Sequence, residues 1–353
     1  MKSTASRLPD AGATERKTRR VLFLLGILLL LAVFVSMTIG RYALQPQIIL
    51  RVFMDRISGE PLDPALTEAN AVIFAIRIPR ILLSILVGAA LSASGAAYQG
   101  LFKNPMVSPD ILGVSSGASV GAIFGILLGL PTYLIHVQSF LFGMGAVIIV
   151  MTLARMVSRG SGTLLIMVLS GTVISSVFSA LTSLIKYLAP ADDKLPEITF
   201  WLMGSFAKAG SYRNVTIMGV VFILGAVPLF LLRWRMNVMS FGEEEARSMG
   251  VNVKAIRRIV ILCATLLTAS SVALCGVIGW VGLIVPHMAR ILVGPNYGVM
   301  MPVAMIGGGL FTLLVDNVCR TAVSGELPIG IVTAMIGAPL FIYLLFRRRR
   351  DWT

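Results

Sequence analysis

The chain has 353 residues, of which 57% are hydrophobic and 13% charged. An ordinary soluble domain is about a quarter charged, so the deficit excludes a conventional water-facing surface and points to lipid. A formal net charge of +14 would suggest nucleic-acid binding in a soluble protein. Here its distribution along the chain argues for membrane topology instead, and no nucleic-acid partner is expected.

Residues 1–20 are polar and basic, an expected mobile cytoplasmic tail held near anionic lipid. A bilayer-crossing helix needs about 20 mostly apolar residues. Ten segments are candidates: 21–42, 71–98, 111–130, 132–154, 163–188, 213–232, 257–279, 280–293, 300–319 and 328–346, with 280–293 the shortest. The first is uninterrupted and has no small-residue cleavage site, so it reads as a permanent helix. The stretch 43–70, with Pro46, Pro61 and Pro64, reads as an external loop. Residues 189–212 read as a second external loop, with a short interfacial helix at the partly apolar run 200–204. The largest internal loop is 233–256, and 347–353 form a second basic cytoplasmic tail, leaving 21–346 as the membrane domain. The expected fold is therefore all-α and polytopic, with about ten transmembrane helices and both termini cytoplasmic.

Charge supports that orientation. It places 20 of the 30 Lys/Arg and seven of the 16 Asp/Glu inside, giving +13 inside against +1 outside, as the positive-inside rule requires. A shift of 181 residues superposes Gly95 on Gly276, Pro105 on Pro286, Gly113 on Gly294 and Gly117 on Gly298. That weak match suggests an inverted repeat of the kind transporters use. Gly113, Gly117, Gly121 and Gly125 make one smooth helix face, suited to close helix packing and, secondarily, to lining a pathway.

Few residues could carry chemistry. No G-x-x-x-x-G-K-[ST] loop occurs, so ATP hydrolysis by that route is excluded. His136 and His287 stand far apart, His287 following Pro286 at an expected helix terminus, and they read as structural rather than metal-binding. Cys263, Cys275 and Cys319 lack C-x-x-C spacing and read as packing residues. Acids are nearly absent from the apolar spans, Asp316 being the exception. An ion-coupled carrier usually keeps such groups at mid-membrane, so their scarcity points to an energy source elsewhere and makes a secondary transporter or channel the runner-up reading. In 233–256, Ser240 precedes Glu243 by three, a capping-box pattern for a short helix ended by Gly250. That helix is either a knuckle docking in a partner's groove or a solvated connector at the lipid surface.

Several motifs then occur in order: Arg77-Ile78-Pro79-Arg80; 88–95, Gly-Ala-Ala-Leu-Ser-Ala-Ser-Gly; Asn104-Pro105-Met106-Val107-Ser108-Pro109 with 112–118; 242–251; Gly282 to His287 with Arg290; Asp316 with Arg320; Glu326 to Gly330; and Gly337-Ala338-Pro339. Across 71–346 this set resembles the FecCD-type permeases of ATP-binding-cassette importers for iron siderophores, haem and cobalamin. The resemblance implies a ten-helix permease in the bacterial or archaeal cytoplasmic membrane, used as a dimer, here expected to be a homodimer. It implies two cytoplasmic ATPase subunits, which hold ATP and Mg while this chain holds no cofactor or metal. It also implies a periplasmic or lipid-anchored binding protein that delivers the cargo, most often an iron siderophore, with haem, cobalamin and molybdate as further cargoes. Carried onto this sequence, Arg77, Arg80 and Arg320 face outward and receive acids of the binding protein. Gly242, Glu243, Glu244, Glu245, Ala246, Arg247, Met249 and Gly250 form the loop seated on the ATPase. Asn104, Pro105 and Met106, where the family usually has Asn-Pro-Leu, lie at the cytoplasmic gate together with the loop near 161–163.

Overall fold

The computed structural model describes residues 11–40, 42–58, 63–158, 163–207, 209–323 and 325–349. Among these the chain forms fifteen α-helices. They are α1 Ala11–Thr38, α2 Pro46–Ser58, α3 Thr67–Ala71, α4 Ile78–Leu101, α5 Val114–Leu127, α6 Thr132–Val157, α7 Thr163–Leu188 and α8 Lys194–Leu202. There follow α9 Tyr212–Leu231, α10 Arg233–Phe241, α11 Glu243–Ser248, α12 Val253–Cys275, α13 Val281–Val293, α14 Tyr297–Thr321 and α15 Ile329–Arg349. Among the described residues seven helices are long and apolar enough to cross a membrane, and three shorter apolar ones are Val114–Leu127, Val281–Val293 and Ile329–Leu344.

The apolar segments expected from sequence are helical, but several boundaries differ. The basic stretch 11–20 belongs to α1 rather than to a free tail; residues 1–10 lie outside the described residues. The loop expected at 43–70 contains α2, which buries Ile49 and Val52 on one face. Pro46, read as a loop marker, opens that helix, where a missing N–H costs nothing. Pro286 lies inside α13 rather than at its end. The segment 257–279 stops at Cys275, because Gly276 adopts φ +73 and ends the helix. The interfacial helix expected in 189–212 is α8, anchored by the fully buried Ile198.

The core is built on α4, buried on nearly every face, with α12 and α14 against it. Close approach is achieved with glycine: a Cβ at Gly95 would lie 1.7 Å from the Gly282 carbonyl oxygen of α13, and one at Gly88 2.3 Å from that of Gly308 in α14. Hydroxyls tie α4 to α12, with Ser94 Oγ 2.8 Å from Thr268 Oγ1 and Tyr98 OH 2.9 Å from Thr265 Oγ1. Each such interhelical bond in a membrane stabilises by about 0.6–2 kcal/mol. The glycine stripe of α5 packs on α6: a Cβ at Gly117 or Gly121 would meet the backbone carbonyls of Phe142 and Gln138 at 2.7 and 2.6 Å. Close packing, not an open pathway, accounts for that face.

Of the pairs made by the 181-residue shift, Gly113 and Gly294 both end a helix at positive φ and Gly117 and Gly298 both lie within one, while the other two pairs differ in local role. Gly95 is mid-helix while Gly276 caps a helix, and Pro105 sits in a turn while Pro286 is inside α13.

α4 and α14 run antiparallel. The start of α14 meets the end of α4, where Tyr297 OH donates to the Ala96 carbonyl. The end of α14 meets the start of α4 through Arg80 and Asp316. These two ends carry the two candidate sites.

Candidate functional site: an ion-pair cluster and a helical knuckle

At the first end, Pro79 falls in the opening turn of α4, and the preceding stretch Val72–Arg77 winds as a π-helix, with the Ile78 N–H bonding the Ile73 carbonyl. That wide turn sets Arg77 and Arg80 on different partners. The Arg80 guanidinium donates from Nε to Asp316 Oδ2 at 3.0 Å and from Nη2 to Oδ1 at 2.8 Å. Its remaining edge meets Glu326, Nη1 to Oε1 and Nη2 to Oε2, both at 2.9 Å. One planar fork thus serves two carboxylates, a geometry lysine could not reproduce. Arg320 Nε lies 3.5 Å from Asp316 Oδ2, while its Nη2 donates to Ser36 Oγ at 2.6 Å and to Asn317. Arg77 donates to the backbone carbonyls of Met37 and Tyr42, capping the end of α1.

Arg77, Arg80 and Arg320, expected to face outward, all lie at this end of the bundle, but their side chains are turned onto the chain's own carboxylates and carbonyls. Arg77, Arg80 and Arg320 are 3%, 6% and 8% exposed, and Asp316 is 1% exposed. The physical reason is charge burial: guanidinium groups at the end of a membrane bundle recruit carboxylates and carbonyls because an unpaired buried charge is costly. Sequence reasoning identified Asp316 as the unusual acid yet did not pair it with Arg80. The signal available was that a carboxylate in an apolar helix requires a cation, and Arg80 was in reach only through the fold. Ser36 and Glu326 as partners had no such signal.

Beside this cluster lies a cavity of about 450 Å³ lined in part by His136, Glu197, Trp201, Cys275 and Glu326. Among the described residues no group of three His, Cys, Asp or Glu could hold a metal ion. The three cysteines are free and buried.

At the opposite end, 233–250 forms two short helices rather than one. Ser240, expected as an N-cap, instead donates its hydroxyl to the Asn237 carbonyl inside α10. The break falls at Gly242, with φ 155° and ψ 162°, a region open essentially to glycine alone. Gly250, at φ +78°, ends α11 as expected. Ala246 is fully buried and is the anchor of α11, while Phe241 and Met249 are 71% and 54% exposed. Glu244, Glu245, Arg247 and Gly250 also face solvent. Glu243 is held from both sides, by Arg257 of α12 and by Arg247 at 3.5 Å, so the knuckle is tied to a core helix. Asn237 Nδ2 and Oδ1 bond Asn296 and the Tyr297 N–H at 3.0 and 2.9 Å, fixing α10 to the start of α14.

Next to it, at the end of α4, Lys103 turns at φ +51° and Asn104 Oδ1 accepts the Met106 N–H at 2.9 Å. Asn104 and Met106 are exposed and Pro105 is partly so. Residues 161 and 162 of the expected gate loop lie outside the described residues; Thr163 bonds Ser158 at 2.9 Å. Asp110, which the sequence reading passed over, accepts a hydrogen bond from the Ser115 hydroxyl across the turn leading into α5.

The profile of the FecCD transport family matches residues 28–347. The chain is 40% identical over 331 residues to the molybdate import system permease protein MolB of Haemophilus influenzae, covering 94% of this chain and 96% of that one. It is 39% identical over 287 residues to the cobalamin import system permease protein BtuC of Halobacterium salinarum, covering 81% and 76%. A solved structure of a metal-chelate type ABC transporter in an inward-facing conformation superposes with a TM-score of 0.82 at 41% identity, covering 93% of this chain and 99% of that chain. The chain belongs to the FecCD transport family: it is the multi-pass cytoplasmic-membrane permease of an ABC-type metal-chelate importer, powered by a separate ATPase subunit.

Proposed function

We propose that two copies of this chain form the channel of a binding-protein-dependent importer, each copy crossing the membrane ten times with both termini in the cytoplasm. Seven long and three shorter apolar helices support ten crossings, and the charge asymmetry supports the orientation. In this reading 21–346 is the membrane domain, flanked by the basic ends 1–20 and 347–353.

The observation that carries the reading is the knuckle at 242–250. A short helix with one buried anchor, Ala246, is flanked by exposed Phe241 at the end of α10 and Met249 at its own C-cap, and is bolted to α12 by the Glu243–Arg257 ion pair. Exposed apolar side chains on a rigidly braced element fit a partner groove, and movement of that partner would pass directly into α12. The partner is the cytoplasmic ATPase. The adjacent turn at Asn104, Pro105 and Met106 is the cytoplasmic gate.

At the other end, Arg77, Arg80 and Arg320 receive the delivery protein. Since Arg80 is occupied by Asp316 and Glu326, an incoming carboxylate must displace Glu326, the more exposed of the two at 27%. Docking is then an exchange of carboxylates on one guanidinium rather than capture by a free cation.

The cargo proposed is an iron siderophore, the family's usual load. Molybdate is the second reading, favoured by the 40% identity to MolB over nearly the whole chain. Uptake of radiolabelled ferric siderophore and of molybdate into cells carrying and lacking this chain decides between them. Loss of neither on deletion overturns both.

A further inference from the structure

The knuckle end carries a second feature, beside Thr163 of the expected gate loop. The ends of α6, α7 and α12 enclose a cavity of about 470 Å³ lined by Arg155, Lys254, Arg257 and Arg258 together with Ser158 and Thr163. Among the described residues none that lines it is acidic. Arg257 is engaged by Glu243, but among the described residues Arg155, Lys254 and Arg258 form no ion pair. The Arg257 Nε is buried without an acceptor. These three side chains are exposed, so water screens part of their mutual repulsion, and an anion held between them would relieve the rest.

Its depth is as informative as its rim. Arg155, Thr163 and Arg257 each have a lining residue four positions further into the bundle, Met151, Met167 and Ile261 respectively. Four residues on a helix are about one turn, roughly 6 Å along the axis. The cavity is therefore cationic at the mouth and apolar at the floor, on three helices at once. The start of α7 adds its own preference for an anion, with Thr163 in its first turn. The shared chemistry is that of a tetrahedral oxyanion, but a free oxyanion has no use for an apolar floor. A phosphodiester joined to acyl chains matches both.

We propose that this cavity is a binding site for the headgroup of an anionic phospholipid, whose phosphate meets Arg155, Lys254 and Arg258 while the start of its acyl chains lies over Met151, Met167 and Ile261. The inner-leaflet placement rests on the proposed orientation; the headgroup preference does not. Because Arg257 reaches both this cavity and Glu243, the lipid also braces α12 where the knuckle is attached.

The test uses the full chain purified with its ATPase subunit in nanodiscs, which present both leaflets. Native mass spectrometry counts retained phosphatidylglycerol against phosphatidylcholine. The wild type should prefer phosphatidylglycerol, and the triple variant Arg155→Gln, Lys254→Gln, Arg258→Gln should weaken that preference by at least about tenfold. Arg155→Lys with Arg258→Lys should keep it, which separates lost charge from misfolding. Unchanged preference in the triple variant overturns the proposal. So does displacement of the lipid by millimolar inorganic phosphate or glycerol 3-phosphate, which would mark a free-oxyanion site, or its expulsion by the bound ATPase, which would mark a protein interface. Impermeant thiol labelling of Met156→Cys reports the side of the membrane separately, so an inverted topology is told apart from an absent lipid site.

Discussion

Arg80 and Asp316, 236 residues apart in sequence, meet at 2.8 Å at one end of the bundle and join the start of α4 to the end of α14. Breaking one side of a buried pair leaves the other charge unsolvated, which costs about 3–5 kcal/mol. Arg80→Leu and Asp316→Leu should each lower the apparent melting temperature of the detergent-purified protein. The double variant should recover part of that loss, because both charges are then gone. A strictly additive double variant, read by intrinsic fluorescence on heating, would show that the pair is not coupled.

Glu326 gives the sharpest test of delivery-protein docking. If an incoming acid replaces it on Arg80, Glu326→Gln removes the competitor and should tighten association several-fold, while Arg80→Gln should weaken it. Surface plasmon resonance against the cognate binding protein reads both. Weaker binding on Glu326→Gln would mean that this carboxylate helps to build the docking surface instead of contesting it.

Deleting 243–247 removes the braced helix of the knuckle. Uptake should be abolished and the ATPase should fail to co-purify, while the permease remains in the membrane. Arg257→Gln, which cuts the tie to Glu243 while keeping the helix itself, should leave the ATPase bound but lower the uptake per ATP consumed. Normal co-purification after the deletion would return this segment to a plain connector.

Single cysteines at Ser58 and Asp193, in a chain lacking the native three, should react with an impermeant thiol reagent from outside the cell, and one at Glu244 should not. Reaction at Glu244 in intact cells would invert the proposed topology.

Gly95→Ala puts a methyl group 1.7 Å from the Gly282 oxygen and must part α4 from α13. Overpacking of this kind costs about 1–3 kcal/mol, so the melting temperature should fall. Gly219→Ala, where nothing lies within 4 Å, should leave it unchanged or slightly raised, because alanine is the better helix former.

The sequence by itself determined that this chain is helical and lives in a membrane, because uncharged runs about 20 residues long have no other stable environment. The ordered motifs between Arg77 and Pro339 were enough to identify the family. What the sequence could not supply were the consequences of packing. Ser240 and Glu243 carried a valid capping pattern, yet the chain broke at Gly242, because Ala246 had to enter the core and Glu243 had to reach Arg257. The proline-marked stretch 43–70 hid a helix, since one apolar face could be covered by the following turns. The motifs implied that Arg77, Arg80 and Arg320 face outward, but whether they met water or carboxylates was decided by tertiary structure alone. A guanidinium at the end of a bundle takes whichever partner the fold brings within 3 Å, and Asp316 and Glu326 arrive from helix ends more than 230 residues away.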